Sequence, residues 1–73
     1  MPKSIKELVK KNKIKVGDTL RVNDYGTKYR IIVDKIKPDH VKSGYWRSIN
    51  MSVPSTNIGL FRGMVTRING RFV

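Results

Sequence analysis

Cysteine is absent from this chain and His40 is its only histidine, which excludes disulfide scaffolds and zinc sites built on Cys and His. No apolar run approaches the roughly 18 residues of a membrane span. The opening MPKSIKELVKKNK is interrupted by lysine every few residues and lacks the apolar segment of a signal peptide. A soluble, cytoplasmic protein is the resulting expectation, and the missing cysteines are compatible with a reducing compartment. With 73 residues there is room for one domain, residues 1–73, because a chain of this size buries only about 60% of the surface it exposes when unfolded.

Catalytic patterns are missing too. Acid–base and nucleophilic catalysis need positioned pairs of groups, and His40 stands in a Pro38-Asp39-His40 turn with no cysteine to activate. Gly59-Leu60-Phe61-Arg62-Gly63 lacks the Lys-Ser/Thr of a phosphate-binding loop. The carboxylates are scattered, with no Asp-x-Asp or Glu-x-x-His spacing for a metal. The expectation is a non-enzymatic protein without cofactor or metal.

What the chain has in excess is positive charge: 16 Lys and Arg against 5 Asp and Glu, for a net charge of +11. All the acids, Glu7, Asp18, Asp24, Asp34 and Asp39, precede residue 40, whereas Lys42, Arg47, Arg62, Arg67 and Arg71 follow it with no acid among them. Such a field attracts polyanions. DNA or RNA, an acidic protein and an anionic membrane surface are the partner classes it admits; the membrane reading is the weakest, since the N-terminal helix offers only three apolar residues.

Ser4-Ile5-Lys6-Glu7 has the form of a capping box and predicts a helix over about 4–11, with Ile5, Leu8 and Val9 as its apolar stripe and Asn12 as a left-handed cap. Lys10 and Lys11 suit the negative end of its dipole. From Ile14 the period becomes two. Leu20 and Val22 point one way and Arg21 the other; Tyr29, Ile31 and Val33 oppose Lys28, Arg30, Ile32 and Asp34. Asp24-Tyr25-Gly26 reads as a turn, and a bulge near Asp34 would bring Ile36 inward. A strand is expected over about 41–51 and a loop over 53–57. Asn69-Gly70 marks a two-residue type I′ hairpin, because both central residues need positive φ. A bulge at Gly63 would turn Phe61, Met64, Thr66 and Ile68 inward, with Arg62 and Arg67 outward.

This pattern predicts a mainly β domain: a small five-stranded antiparallel SH3-like barrel over about 14–73, preceded by one short helix, with an OB-like barrel as the alternative. Val16-Gly17-Asp18-Thr19-Leu20-Arg21-Val22 resembles the first strand of many SH3-like and KOW-type modules. The glycine-spaced continuation of KOW is absent, and no family follows from those seven residues.

In the 41–51 strand, alternation groups Tyr45 and Arg47 with Ile49 and Met51 on the core side, and puts Trp46 with Ser48 and Asn50 on the polar side. A shift at Ser43-Gly44 would reverse this and turn Trp46 inward. An exposed Trp46 among Lys28, Arg30, Lys42, Arg47, Arg62, Arg67 and Arg71 would join a stacking surface to cations that track phosphates. The leading expectation is therefore a small basic nucleic-acid-binding protein with largely sequence-independent contacts. The alternative is a protein-binding module or inhibitor, of the kind found among phage and accessory subunits, that docks this patch on an acidic partner.

Overall fold

The computed structural model describes residues 2–48, 54–55 and 58–73. Strand β1 (Lys3–Ser4) leads directly into helix α1 (Ile5–Lys10). The Ser4 side chain accepts from the Glu7 N–H at 3.1 Å, as the capping pattern predicts. Glu7 in turn takes Lys11 Nζ at 3.1 Å, and Asn12 follows in the left-handed region at φ 56°. Ile5 and Leu8 are buried, so this short helix contributes through its apolar face rather than through intrinsic stability.

Strands β2 (Thr19–Asp24) and β3 (Thr27–Ile32) form a hairpin across Tyr25-Gly26, both at positive φ. Beyond Ile32 the chain leaves this sheet through Val33 and Asp34. It then makes β4 (Lys35–Ile36) and β5 (Val41–Ser43), bends at Gly44, and returns as β6 (Tyr45–Ser48). Pro54–Ser55, within the expected loop, form β7; β8 (Gly59–Phe61), β9 (Met64–Ile68) and β10 (Arg71–Phe72) follow. The last two close the predicted hairpin, with Asn69 at φ 53° and Gly70 at φ 82°. Asn69 Oδ1 also accepts the Thr19 N–H at 2.9 Å, fixing the hairpin to the start of β2.

The fold is mainly β and antiparallel, as alternation predicts. The described strands form two sheets, β1-β9-β2-β3-β6-β7 with β10 on β9, and β4-β5-β8, and they do not close into one continuous barrel. The alternating run from Lys28 through the bulge expected near Asp34 to Ile36, and the strand expected over 41–51, each divide between the sheets, at 33–34 and at Gly44. Ile49, Asn50 and Met51, expected to continue the second, lie outside the described residues, as do Val53, Thr56 and Asn57 of the expected loop.

One core serves both sheets and the helix: Ile5, Leu8, Ile14, Leu20, Val22, Ile31, Val33, Val41, Phe61 and Val65 are all buried. The radius of gyration is 10.7 Å, close to the value of about 11 Å expected for a compact chain of this length. Two expectations about the last strands are corrected. The β9 bulge falls at Thr66, where pairing passes from Arg21↔Arg67 to Val22↔Val65, so Val65 is buried and Met64 is exposed. Gly63 instead serves the bend from β8 to β9 at φ 101°, where a Cβ would lie 2.5 Å from the Asn23 carbonyl oxygen.

Candidate nucleic-acid interface

The registers of three strand pairs place four arginines in one row. Arg67 on β9 faces Arg21 on β2, Arg21 faces Arg30 on β3, and Arg30 faces Arg47 on β6. Their neighbours along the strands, Leu20, Val22, Ile31 and the partly buried Trp46 and Ile68, belong to the core, so all four arginines take the opposite, outward face. With strands about 4.8 Å apart, the row crosses about 14 Å of sheet. Phe72 extends it on β10: it pairs with Arg67, whose guanidinium carbon lies 4.2 Å from the ring centroid.

The rungs beside this ladder complete the face. Thr19, Ile32 and Tyr45 form one, and Met64, Asn23 and Lys28 form the other. No carboxylate stands on any of the three. Glu7 pairs with Lys11, Asp18 accepts from the Lys15 N–H and from Asn69 Nδ2, and Asp39 holds His40 Nδ1 at 2.6 Å. Asp34 sits beyond β3 beside Gly44, and Asp24 accepts the Arg62 N–H. Like charges opposite one another destabilise a sheet, and this row has no opposing charge to relieve it.

The electrostatics of the two perturbed acids belong to the neighbourhood of Arg62. Burial pushes the Asp24 carboxyl above its ordinary 3.8, against the lowering effects of the Arg62 N–H and charge, and one carboxylate oxygen is buried with no hydrogen-bond partner. Asp39 is lowered, chiefly by its hydrogen bond with His40.

Trp46 is not the exposed platform that alternation suggested. It pairs with Ile31 on the core side and packs edge-to-face on Tyr29 and Phe61, with ring centroids 5.4 and 5.6 Å away. Tyr45, assigned to the core, is 42% exposed. The cause is the bend at Gly44. Val41 and Ser43 face inward before it, and Trp46 and Ser48 after it, so the phase slips by one residue. The buried Ser43 hydroxyl bridges the gap in pairing: it lies 2.6 Å from the Ile32 carbonyl, also contacts the Tyr45 carbonyl, and accepts the Tyr45 N–H at 3.2 Å. That slip also resolves Arg47, which becomes outward and joins the ladder.

Of the residues proposed from sequence, Lys28, Arg30, Arg47 and Arg67 are brought together on this face. Lys42 lies in the other sheet, opposite Lys35 and Leu60. Arg62 occupies the bend after β8, near Asp24 and Asp39. Arg71 faces Ile68, in the phase opposite to Phe72, and lines a shallow depression with Lys13. The sequence reading missed Arg21 and Phe72, although both hairpins signal them. A two-residue loop at Tyr25-Gly26 sets Arg21 against Arg30, and one at Asn69-Gly70 sets Phe72 against Arg67.

Among the described residues no helix is long and apolar enough to cross a membrane, and no three His, Cys, Asp or Glu gather as metal ligands. Comparison with protein-family models, curated proteins and solved structures finds no match to this chain.

Proposed function

We propose that this domain binds nucleic acid through the outward face of its larger sheet, in a largely sequence-independent way and without catalysis. The observation that carries the reading is the ladder Arg67-Arg21-Arg30-Arg47, four cations in register with no acid on their own or the adjacent rungs. A row that weakens the sheet is explicable if phosphates neutralise it. Lys28 adds a fifth cation, and the guanidiniums present planar donors suited to phosphate oxygens. We also read the strand passages at 33–34, Gly44 and 62–63 as the corners of an open SH3-like barrel, with the ladder on its outer wall.

The test is a titration of labelled oligonucleotides against salt. If four phosphates are neutralised, log affinity should fall against log salt with a slope of about −3.6 on duplex or about −2.8 on a single strand. Arg30→Gln should reduce the slope by about 0.9 on duplex and about 0.7 on a single strand. An affinity absent for DNA and RNA at low salt, or a slope unchanged by that substitution, would sink the reading.

A second reading, an acidic protein partner, draws support from Ile32, Tyr45 and Met64, each 40–42% exposed beside the ladder. Arginine flanked by apolar side chains is also the composition of protein hot spots. Binding that depends on Tyr45 and varies little with salt would favour it.

A further inference from the structure

At the β10 end of the ladder the face is concave. Arg21, Asn23, Lys28, Thr66, Arg67 and Phe72 surround a cleft of about 300 Å³, with Val22 among its lining residues. That volume is at the lower end of the range for small-molecule sites, about 300–1,000 Å³. The Thr66 bulge explains why the cleft lies here. It interrupts pairing between β2 and β9, and the Thr66 hydroxyl donates to the Arg21 carbonyl at 3.3 Å across the interruption. Three cations share the lining with a phenyl ring that is 75% exposed.

Charge and aromatic surface ask for different parts of a ligand. Arg21, Arg67 and Lys28 suit a phosphate. Phe72 has a guanidinium against its ring and its remaining surface open to a second planar group. Asn23 adds a side-chain amide that can donate and accept. A duplex keeps its bases stacked inside and presents chiefly its backbone to a flat sheet. An unpaired nucleotide carries both an anion and a free planar face, the two features that this lining is suited to meet.

We infer that this cleft is a subsite for one unpaired nucleotide, its phosphate held by Arg21, Arg67 and Lys28 and its base stacked on Phe72. The proposal rests on the nucleic-acid reading of the face and narrows it: single strands are the preferred ligand, and the cleft is the source of the preference.

Two measurements on the full chain test it. In the first, adenosine 5′-monophosphate and inorganic phosphate are titrated separately while backbone amide shifts are followed by NMR. The nucleotide should move Asn23, Arg67 and Phe72 at lower concentration than phosphate does. Equal responses to the two would overturn the base subsite. In the second, Phe72→Ala should weaken a single-stranded oligonucleotide about tenfold more than it weakens the matching duplex, the order expected for one lost base stack. Phe72→Tyr, which keeps the ring, should keep the preference. If Phe72→Ala weakens both ligands equally, or neither, the inference fails; Arg30→Gln separates that failure from failure of the broader reading, because it should still lower the salt slope on both ligands. Binding of an acidic peptide that competes with phosphate but not better with nucleotide would also overturn the inference.

Discussion

The arginine ladder makes a prediction about stability that needs no ligand. Arg30 has an arginine directly opposite on each side, Arg21 and Arg47. Taking guanidinium separations of about 7 Å and the dielectric of water, each neighbour repels it by about 0.6 kcal/mol before screening. Two neighbours then give about 1 kcal/mol at 0.01 M salt, about 0.6 at 0.1 M and about 0.1 at 1 M. Arg30→Gln should therefore raise the thermal midpoint by about 4–8 °C at the lowest salt, on the conversion that holds for domains of this size. The gain should disappear at 1 M. Arg30→Lys, which keeps the charge and a long stem but not the guanidinium, separates repulsion from effects of the planar group. Lys37→Gln, on an exposed turn away from the ladder, reports the benefit of merely lowering a net charge of +11. Calorimetry or circular dichroism at three salt concentrations is sufficient. If Arg30→Gln gains no more than Lys37→Gln at 0.01 M, or if its gain persists at 1 M, the ladder is not a site of repulsion and the main support for a polyanion ligand goes with it.

Three other substitutions follow from the packing. Gly63→Ala should destabilise by on the order of 3 kcal/mol, since it combines an unfavourable backbone conformation with a contact against the Asn23 carbonyl; urea denaturation would measure it, and a loss below about 1 kcal/mol would contradict the close approach. Trp46→Ala should cost about 2–4 kcal/mol by emptying the cluster with Tyr29 and Phe61, yet leave the salt slope of nucleic-acid binding intact in the folded fraction. The reverse pattern would restore Trp46 as a ligand contact. For Asp24 the folded chain holds its proton to higher pH than the unfolded chain, so its contribution to stability declines as pH rises above 3.8. Asp24→Asn should accordingly be more stable relative to wild type at pH 7 than at pH 3, and thermal melts showing a gap independent of pH would refute the burial argument.

Part of this molecule is legible in local chemistry alone. Ser4 and Glu7 specify the helix start because the cap and its recipient are three residues apart. Asn69-Gly70 specifies a hairpin because few residue pairs tolerate positive φ at both positions. Alternation puts Lys28 and Arg30 on one face, and every basic residue after Asp39 stands in a stretch without acids. The same alternation exchanges Trp46 and Tyr45, because it carries no memory across a bend. One extra residue at Gly44 inverts every side chain that follows, and only the buried Ser43 hydroxyl, bonded to strands on both sides, shows that the slip is accommodated.

Residue order alone specifies the strand-rich class, the helix cap, the hairpin turns and, through those turns, two neighbouring pairs of the site: Arg21 with Arg30 and Arg67 with Phe72. That these pairs stand in one row, and that Arg47 joins them, depends on the assembled fold. Turn geometry fixes register only between strands it connects. The β2–β9 and β3–β6 registers join segments far apart in the chain, and they are set by which side chains the common core buries, by the bulge at Thr66 and by the bend at Gly44, both of which local sequence marks weakly.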